Sequence, residues 1–563
     1  MSVSIASRPW LTRPAVPMIC GALGLAALAV RLATLDAIPL DSREARLAVA
    51  AAHRALGETA EPWLAGDGRL LPHAMILVFW LFGASDAAAR IVPALAGAVA
   101  SIAPLMLLPI LGLRAATAAA AILVFSPIGI ESSRLADPSA LSGALTICAA
   151  CVGLRVTSDR PSWAPWALAG TLGLAATHEP AALIGIAATG PAALAAVGFG
   201  DWPKEAWGER ARWALGAASG PALLAASLAL LVATGGLLDP RGVGYLFGDL
   251  WGALPGAVMP AGLSVRNALG LVAYAGPIAL LALGELARSV RDRDRFDWFL
   301  GTWAALLLAL GLTTGVGGLS FILLPTFPLA LLAGRFVARF PSRPRSYELT
   351  AGGWAAFVLT AAVFVAAVAL IADSAGNGRA PQGPKLAMGF LVVAASIVSW
   401  VQARRDGKHW PSAALLLMTL YVAWCSGAIG RLSVGGSPPG TEPLRLEETA
   451  SGFRDIFHEL TIVASAGNRG LVIQTRPSSV GDWYGRGYVV SAASALPPGG
   501  GIVVRPAQEP RPDGAPPGAA RRLPWRVRST IRSADLHPLG IARWLISRQG
   551  LFDVQMDDVQ VTR

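Results

Sequence analysis

The sequence predicts an all-α protein that crosses a membrane many times and ends in a small α/β domain outside the membrane. Hydrophobic residues make up 54% of the 563 residues, whereas charged residues make up only 14%. The charges are concentrated in short stretches between long runs of Ala, Leu, Val and Gly, as bilayer-spanning helices require. From about residue 432, Pro, Gly and Arg become frequent and short β-like runs appear. These observations predict a membrane domain at 1–431 and a second domain at 432–563.

Apolar runs long enough to cross a bilayer are the elements of the first domain. A helix of roughly 20 apolar residues crosses a hydrocarbon layer of about 30 Å, and it satisfies its own backbone hydrogen bonds inside lipid. The first run follows basic residues, like a signal peptide, but it is too long and lacks a convincing cleavage site, so we interpret it as a span. We predict about thirteen spans, at 16–35, 88–112, 115–132, 139–156, 164–178, 180–198, 213–235, 267–287, 298–315, 318–334, 350–372, 386–402 and 411–430.

Basic residues between the spans set the predicted orientation, because short loops rich in Lys and Arg stay in the cytoplasm. Five such loops fall on one side: Arg155–Arg160, Lys204–Arg212, Arg288–Arg295, Arg335–Arg345 and Arg404–Lys408. The N-terminus is then cytoplasmic, and the loop at 36–87 and everything after Arg431 lie outside a cell membrane. The same loops explain the net charge of +11, because they meet anionic lipid headgroups. We therefore expect membrane lipid, and no nucleic acid, as a partner.

The apolar run Leu70–Gly83 is too short for an ordinary span, and treating it as one would invert all five basic loops. We interpret it as a helix on the outer membrane surface, within the first external loop. The second domain contains three β-like runs at Leu471–Thr475, Ile502–Arg505 and Val554–Val561, together with a helix-like segment at Phe453–Val463. The Pro- and Gly-rich stretch Pro506–Ala519 is predicted to be a loop.

The first external loop carries two carboxylates, Asp41 and Glu44, which share one face if the segment is helical. Either carboxylate at the bilayer surface is able to act as a general base toward an acceptor hydroxyl, or to bind a cation beside a phosphate. The same pattern is typical of a helix start, with Asp41 or Ser42 as the N-cap and Glu44 in the first turn. Sequence alone leaves both interpretations open.

Two further polar patches lie at the outer ends of spans. The patch at 131–139 carries Arg134 and Asp137, although Asp137-Pro138 is also an ordinary turn into a helix. The patch at 177–180 carries His178 and Glu179. His178 is able to bind a phosphate oxygen or to shuttle a proton, although a polar kink between two spans explains the patch equally well. With Arg69, the three patches place acids and cations on the outer side of a bilayer. That combination suits an anionic lipid headgroup.

Six segments resemble a set of motifs in the expected order: Glu44–Ala48 a first-loop acidic motif, Leu81–Leu95 an LFG-x-S-x-x-x-AR-x-x-PAL segment, Ser133–Leu135 an SR-hydrophobic motif, Thr177–Glu179 a TKE motif, Leu323–Gly334 a late helix ending in PLALLAG, and Asp482–Arg486 a WYLR motif. The chain is thereby similar to the GT-C superfamily of membrane glycosyltransferases, which includes protein O-mannosyltransferases and aminoarabinose transferases. The closest resemblance is to the flippase-activity-associated branch. The resemblance covers most of the chain.

This resemblance implies a GT-C-like fold that transfers a sugar from a polyprenyl-phosphate donor to a glycan, lipid or protein acceptor at the outer membrane face. The implied catalytic residues are Asp41, Glu44 and Asp137, and the implied substrate-binding residues are Arg43, Arg69, Arg134, His178 and Glu179. Some superfamily members need a divalent cation and others do not, so a divalent cation stays open and no other cofactor is predicted. The four cysteines lie in apolar segments and indicate neither a zinc site nor a disulfide framework.

Three positions depart from the superfamily pattern. Arg43 stands where the first loop usually has its catalytic Asp, Ser139 where the second loop has a further Asp, and His178 where the branch usually has Lys. These departures favour an alternative function, a catalytically degenerate protein that binds lipid-linked sugar or assists its translocation or a partner complex. A secondary transporter is disfavoured, since the acids cluster at the outer edge and no inverted repeat is evident.

Overall fold

The computed structural model describes most of the membrane domain and separate segments of the second domain. The described residues are 15–33, 35–58, 68–158, 161–198, 219–237, 241–258, 264–313, 318–339, 447–449, 454, 471–473, 479–484, 502–506, 521–532, 534, 536, 541 and 551–562. The predicted spans at 350–372, 386–402 and 411–430, the domain boundary near 431 and nearly all of Phe453–Val463 lie outside these ranges.

Helices build the whole described part of the membrane domain. The early helices are α1 (Ala15–Leu32), α2 (Ser42–Ala55), α3 (Leu70–Phe82), α4 (Asp86–Ile102), α5 (Leu108–Val124), α6 (Pro127–Ser133) and α7 (Ser139–Ser158), with a 3₁₀ turn at Ala103–Leu107. The next helices are α8 (Ala164–Ala175), α9 (Pro180–Ala187), α10 (Thr189–Gly198), α11 (Ser219–Ala233), α12 (Gly242–Gly244) and α13 (Leu250–Val258), with a π-helical turn at Tyr245–Asp249. The last are α14 (Val265–Asp292), α15 (Arg295–Thr313), α16 (Gly318–Leu323) and α17 (Thr326–Ala338).

Within the described ranges, five helical stretches are long and apolar enough to cross a membrane. They are Asp86–Val124, Ser139–Ser158, Val265–Asp292, Arg295–Thr313 and Leu319–Ala338. The first has 39 residues because it joins two predicted spans. Gly112 interrupts it with a φ of +78°, a left-handed conformation that glycine adopts without strain. The two parts of this stretch pack against each other as a helical hairpin. The Ser101 hydroxyl of α4 donates to the Leu123 carbonyl of α5 at 3.3 Å.

Shorter apolar helices occupy the other predicted spans in the described part of the chain, namely Val16–Leu32, Ala164–Ala175, Pro180–Ala196 and Gly220–Ala233. The polytopic helical architecture is thus confirmed, and the number of about thirteen spans stays a prediction. The main core joins α9, α15 and α17 around Trp303, whose ring stacks on Phe299 at 6.0 Å and meets Phe327 edge-on at 5.6 Å. Its indole N–H donates to the Gly185 carbonyl at 3.3 Å, so the buried polar atom is satisfied.

Two of the predicted cytoplasmic loops meet at one end of the bundle. Arg335 Nε lies 2.7 Å from Asp297 Oδ1, and Arg339 Nη2 lies 2.5 Å from Glu285 Oε1. Glu285 and Asp297 are completely buried, so their charges require these guanidinium partners. The ionic cluster ties the ends of α14 and α17 to the start of α15. The same-side placement of the loops near 288–295 and 335–345 therefore agrees with the structure.

The short apolar run of the first external loop forms helix α3, as predicted. Its inner side buries Leu71, Met75 and Phe79. Its other side exposes Trp80 and Phe82, each 71% accessible. An exposed apolar stripe next to membrane-spanning helices is typical of a helix that lies in the bilayer interface. The location of α3 at the outer surface stays a prediction.

The described segments of 432–563, which keep the name second domain although a separate α/β domain stays a prediction, contain a five-stranded mixed sheet and a short helix, α18 (Ser479–Tyr484). The strands are β1 (Glu447–Thr449), β2 (Leu471–Ile473), β3 (Ile502–Pro506), β4 (Arg521–Ile531) and β5 (Phe552–Thr562), in the spatial order β1-β4-β5-β3-β2. The β2–β3 pair is parallel, and the other three pairs are antiparallel. Each predicted β-like run overlaps one strand, namely β2, β3 or β5.

Strand β4 was missed by the sequence analysis. It is rich in Arg and contains Pro524, which cannot donate a ladder hydrogen bond. Its register against β5 shifts between Pro524 and Arg526, so the proline lies at an irregularity that tolerates it.

Candidate active site

The three polar patches and Arg69 meet at one end of the bundle, opposite the ionic cluster of α14, α15 and α17. Glu44 Oε1 accepts a hydrogen bond from the Ala136 amide at 2.5 Å, which joins the first patch to the second. His178 Nε2 lies 2.8 Å from the Pro138 carbonyl, which joins the second patch to the third. The Arg69 amide donates to the Thr177 carbonyl at 2.7 Å. Residues far apart in sequence thus form one site.

Asp41 is the N-cap of α2. Its Oδ1 accepts the amides of Arg43 and Glu44, both at 2.8 Å, and the Glu44 carboxylate accepts the Asp41 amide at 3.1 Å. This reciprocal pair is a capping box, so the helix-start interpretation is confirmed. The second oxygen, Oδ2, has no hydrogen-bond partner among the described residues. Burial raises the pKa of Asp41 to about 7, and the neighbouring carboxylates of Glu44 and Asp137 add to the shift.

Glu44 forms a buried ion pair with Arg90 of α4. The carboxylate is 2% exposed and receives Nε of Arg90 at 2.8 Å and Nη2 at 2.7 Å. The amides of Ala136 and Asp41 occupy its remaining acceptor positions. All sites of this carboxylate are therefore engaged inside the protein, so the described contacts of Glu44 hold neighbouring elements together.

Arg90 was not among the predicted site residues, although it belongs to the motif-like segment Leu81–Leu95. Its Nη1 donates to the carbonyls of Leu35 and Ile38 at 2.8 and 2.6 Å, and its Nη2 donates to Pro39 at 3.2 Å. With the two bonds to Glu44, all five guanidinium N–H groups have acceptors. Arg90 therefore fixes the loop at 35–41 that leads to Asp41. An arginine near the start of a predicted span was the available sequence signal.

Asp137 lies beside Asp41 and pairs with Arg43. Its Oδ2 is 2.8 Å from Arg43 Nη1, and its Oδ1 accepts the Ser139 amide at 2.9 Å. The Arg43 side chain is 45% exposed, whereas that of Asp137 is 13% exposed. Arg43 stands at the usual acidic position of the first loop, and Asp137 lies two residues before that of the second loop. The charges of these two side chains thus neutralise one another. Within the described ranges, no group of three or more His, Cys, Asp or Glu side chains is arranged to hold a metal ion.

His178 and Glu179 are buried in the turn between α8 and α9. Burial lowers the pKa of His178 to about 4, so the ring is neutral at pH 7. Its Nε2 faces a carbonyl, which only accepts, so the proton resides there and Nδ1 is an acceptor. Glu179 Oε1 accepts the hydroxyls of Ser142, at 2.5 Å, and Ser320. Burial raises the pKa of Glu179 to about 7, with a further contribution from Asp137.

Arg69 is 8% exposed and has no hydrogen-bond or ion-pair partner for its guanidinium among the described residues. Its one described side-chain contact is with the ring of Tyr245, 5.3 Å from the centroid. The Tyr245 hydroxyl donates to the His178 carbonyl at 2.5 Å, which anchors this ring to the third patch. A buried cation without a counter-ion is costly, and an anionic ligand compensates that cost.

Arg134 and Arg31 bind helix ends. Nη1 of Arg134 donates to the carbonyls of Val30, at 3.4 Å, and Ala33, near the C-terminus of α1. Nη1 of Arg31, a residue that the sequence analysis did not single out, donates to Val124 at the end of α5 at 3.3 Å. Cations at helix C-termini satisfy carbonyls that lack intrahelical partners. The described contacts of Arg134 thus face the protein backbone.

The second domain contacts this site through α18. The indole N–H of Trp483 donates to Asp86 Oδ1 at 2.7 Å, and the Tyr484 hydroxyl lies 2.8 Å from Asp86 Oδ2. Trp483 is completely buried and packs against Phe79 with ring centroids 5.7 Å apart. The sequence motif that contains these residues therefore lies at the same end of the bundle as the polar patches.

No family model and no curated protein sequence matches the chain. Among solved structures, apo ArnT from Cupriavidus metallidurans has a TM-score of 0.56 at 17% identity, over 88% of this chain and 94% of that chain. ArnT bound to undecaprenyl phosphate gives 0.54 at 17% identity over the same shares. The oligosaccharyltransferase of Archaeoglobus fulgidus, in complex with Zn and sulfate, gives 0.43 at 13% identity, over 87% of this chain and 68% of that chain.

The similarity to ArnT, an aminoarabinose transferase, confirms the predicted fold. This chain therefore has the same GT-C fold as ArnT, and the likeness extends over 88% of this chain and 94% of that chain.

Proposed function

We propose that this protein transfers a sugar from a polyprenyl-phosphate donor to an acceptor at the outer surface of the cell membrane. The site lies at the end of the bundle that also carries the exposed apolar helix α3 and the second domain. A donor whose lipid tail lies in the bilayer presents its phosphate and sugar at that depth. The GT-C fold supports this function, and one structure with this fold, that of ArnT, binds undecaprenyl phosphate.

The observation that carries the proposal is the buried guanidinium of Arg69, which has no hydrogen-bond or ion-pair partner among the described residues and lies over Tyr245, next to the third polar patch. Phosphate oxygens are the acceptors that a guanidinium binds best, often in pairs. The phosphate becomes more negative as it leaves the sugar, so a fixed cation stabilises the transition state more than the ground state. Arg43 is a second cation of the site and is 45% exposed, although its guanidinium also pairs with Asp137.

Asp41 is the proposed general base, because its Oδ2 has no hydrogen-bond partner among the described residues and it lies in the first external loop. It takes a proton from the acceptor, and the acceptor oxygen or nitrogen attacks the anomeric carbon. The bond between that carbon and the phosphate oxygen breaks, and its electron pair leaves with polyprenyl phosphate. Direct displacement inverts the anomeric configuration. Asp137 assists from beside Asp41, while Glu44 and Arg134 hold the surrounding elements in place.

Arg69→Gln in proteoliposomes tests this assignment. With a panel of radiolabelled polyprenyl-phosphate sugars, the wild type is expected to transfer at least one sugar. Arg69→Gln is expected to weaken donor binding about 30-fold or more, because about 2 kcal/mol or more is lost when a buried charge interaction is removed. Arg54→Gln is the matched control. Arg54 lies in α2, within the same predicted external loop, and its side chain donates to the Ala50 carbonyl of that helix. Unchanged donor affinity in Arg69→Gln would contradict the proposal.

The ion pair between Arg43 and Asp137 favours a second candidate, a degenerate GT-C protein that binds lipid-linked sugar without transferring it. A carboxylate that is neutralised by arginine at 2.8 Å is a poor base. The same assay separates the two candidates. Turnover that depends on Asp41 establishes the transferase, whereas saturable donor binding with no turnover across the panel establishes the binding protein.

Cysteine labelling tests the proposed orientation. In a variant that lacks the four native cysteines, Asp553→Cys places a thiol on the exposed part of β5, and Arg291→Cys places one at the end of α14 near the ionic cluster, where Arg291 is 83% exposed. We expect a membrane-impermeant maleimide to label the first in intact cells and the second only after the membrane is permeabilised. The reverse pattern would overturn the orientation.

A further inference from the structure

We propose that Tyr484, supported by Trp483, is a positioning residue that sets the loop at 35–41 and thereby the Asp41 carboxylate. This inference rests on the proposed function and extends it, because it makes the second domain a part of the active site. It follows from the contacts that four side chains of the second domain make with the same short loop and with the start of α4.

The Tyr484 hydroxyl bridges the loop and α4. It lies 2.8 Å from Asp86 Oδ2 and accepts the Leu40 amide at 2.9 Å. A carboxylate only accepts, so the hydroxyl hydrogen points to Asp86 and a lone pair remains for the Leu40 N–H. Burial raises the pKa of Tyr484 far above the physiological range, so the hydroxyl stays protonated and keeps this orientation. The orientation of the Tyr484 hydroxyl is thus set by Asp86 on one side and by the Leu40 amide on the other.

Trp483 places Tyr484. Its indole N–H occupies the other oxygen of Asp86 at 2.7 Å, and its ring fills a buried position against Phe79 of α3. Burial of an indole with its N–H satisfied is among the stronger single contributions to docking. The buried contact of Trp483 therefore fixes the position of the neighbouring Tyr484, whose hydroxyl reaches Leu40.

Two more side chains of the second domain hold the same loop. Thr449 Oγ1 donates to the Leu40 carbonyl at 2.6 Å, and Arg454 donates to the Asp36 carbonyl. The two backbone polar groups of Leu40 are thus both bound by the second domain. On the opposite side, the carbonyls of Leu35, Ile38 and Pro39 are bound by Arg90.

Residues 35–41 form no helix or strand, so these side chains supply backbone partners for the loop. Leu40 is covalently next to Asp41, the N-cap of α2. A displacement of the Leu40 peptide therefore moves the carboxylate directly. A misplacement of about 1 Å is able to cost a reaction on the order of 100-fold.

Tyr484→Phe tests the inference, because it removes only the hydroxyl. Tyr274→Phe is the matched control, since Tyr274 is also buried but belongs to a cluster with Leu551 and Phe552 outside the proposed site. The full-length protein in nanodiscs is compared by amide hydrogen exchange over residues 35–47 and by transfer kinetics. We expect faster exchange in this segment, a turnover number lowered about 10- to 100-fold and a donor KM within about twofold of wild type.

A turnover number and loop exchange equal to those of the wild type would overturn the inference while leaving the proposed function intact. Loss of activity only in proportion to loss of folded protein, measured by thermal melting, would overturn it as well, because that is a purely structural effect. If the wild type transfers no sugar but Tyr484→Phe still accelerates exchange at 35–47, the positioning contact stands and the proposed function fails.

Discussion

Replacing Asp41 by Asn is expected to lower the rate of sugar transfer about 100- to 10,000-fold, the range lost when a general base is removed. The substitution separates catalysis from capping, because Asn is as good an N-cap as Asp. The amides of Arg43 and Glu44 keep an acceptor, so α2 and the melting temperature are expected to be retained. Asp36→Asn is the control, since Asp36 is exposed on the same loop. Full activity in Asp41→Asn would reduce Asp41 to a helix cap.

The pH dependence gives an independent signature of the same residue. Burial raises the pKa of Asp41 to about 7, and the active form of a base is the carboxylate. The transfer rate of the wild type is therefore expected to fall as the pH drops through about 7. One pH unit below that midpoint, the rate is expected to be about tenfold lower than its high-pH plateau. Asp36→Asn retains this acid limb, whereas the residual activity of Asp41→Asn is expected to lose it. An acid limb near pH 4 would exclude Asp41 as the base in this environment.

Replacing Arg90 by Leu is expected to lower the free energy of unfolding by about 3–5 kcal/mol, the usual cost of breaking a buried ion pair. The change leaves the Glu44 carboxylate, which is 2% exposed, without its guanidinium partner, and it removes the donors of three loop carbonyls. Thermal melting in detergent and the yield of folded protein measure the effect.

Arg288→Leu provides the matched control for Arg90→Leu. Arg288 also pairs with a carboxylate, that of Asp292 at 3.3 Å, but the two side chains are 51% and 38% exposed. Exposed pairs contribute about 0–1 kcal/mol, so this variant is expected to melt close to the wild type. Equal destabilisation by the two substitutions would show that the buried network around Glu44 does not stabilise the fold.

The capping pattern shows how far local sequence reasoning reached at the site. The spacing of Asp41 and Glu44 indicated a helix start with Asp41 or Ser42 as the N-cap. The structure has this start, with Asp41 as the N-cap of a capping box, because such hydrogen bonds join residues only three positions apart. That spacing did not reveal that Glu44 is saturated by Arg90 and Ala136. Those partners lie 46 and 92 residues away, a separation that one sequence cannot resolve.

His178 and Arg134 show the same limit. Both were predicted to bind the phosphate of the donor, because their residue types are basic and they lie at the outer ends of predicted spans. The structure gives His178 a neutral ring bonded to the Pro138 carbonyl and directs Arg134 to the end of α1. Whether a basic side chain binds a ligand or a backbone carbonyl depends on its burial and on the carbonyls that other helices bring near it. Only the packed fold supplies both.

Sequence by itself determined the helical membrane architecture, the same-side placement of basic loops near 288–295 and 335–345, and the three polar patches. These properties follow from hydropathy, charge and short-range spacing, which the bilayer imposes locally on each segment. Only the tertiary structure decided which carboxylate keeps an available oxygen, that Arg69 has no described counter-ion, and that Tyr484 binds Leu40 across 444 positions. Those outcomes depend on contacts between distant segments, because the electrostatic cost of a buried group is set by what the fold brings next to it.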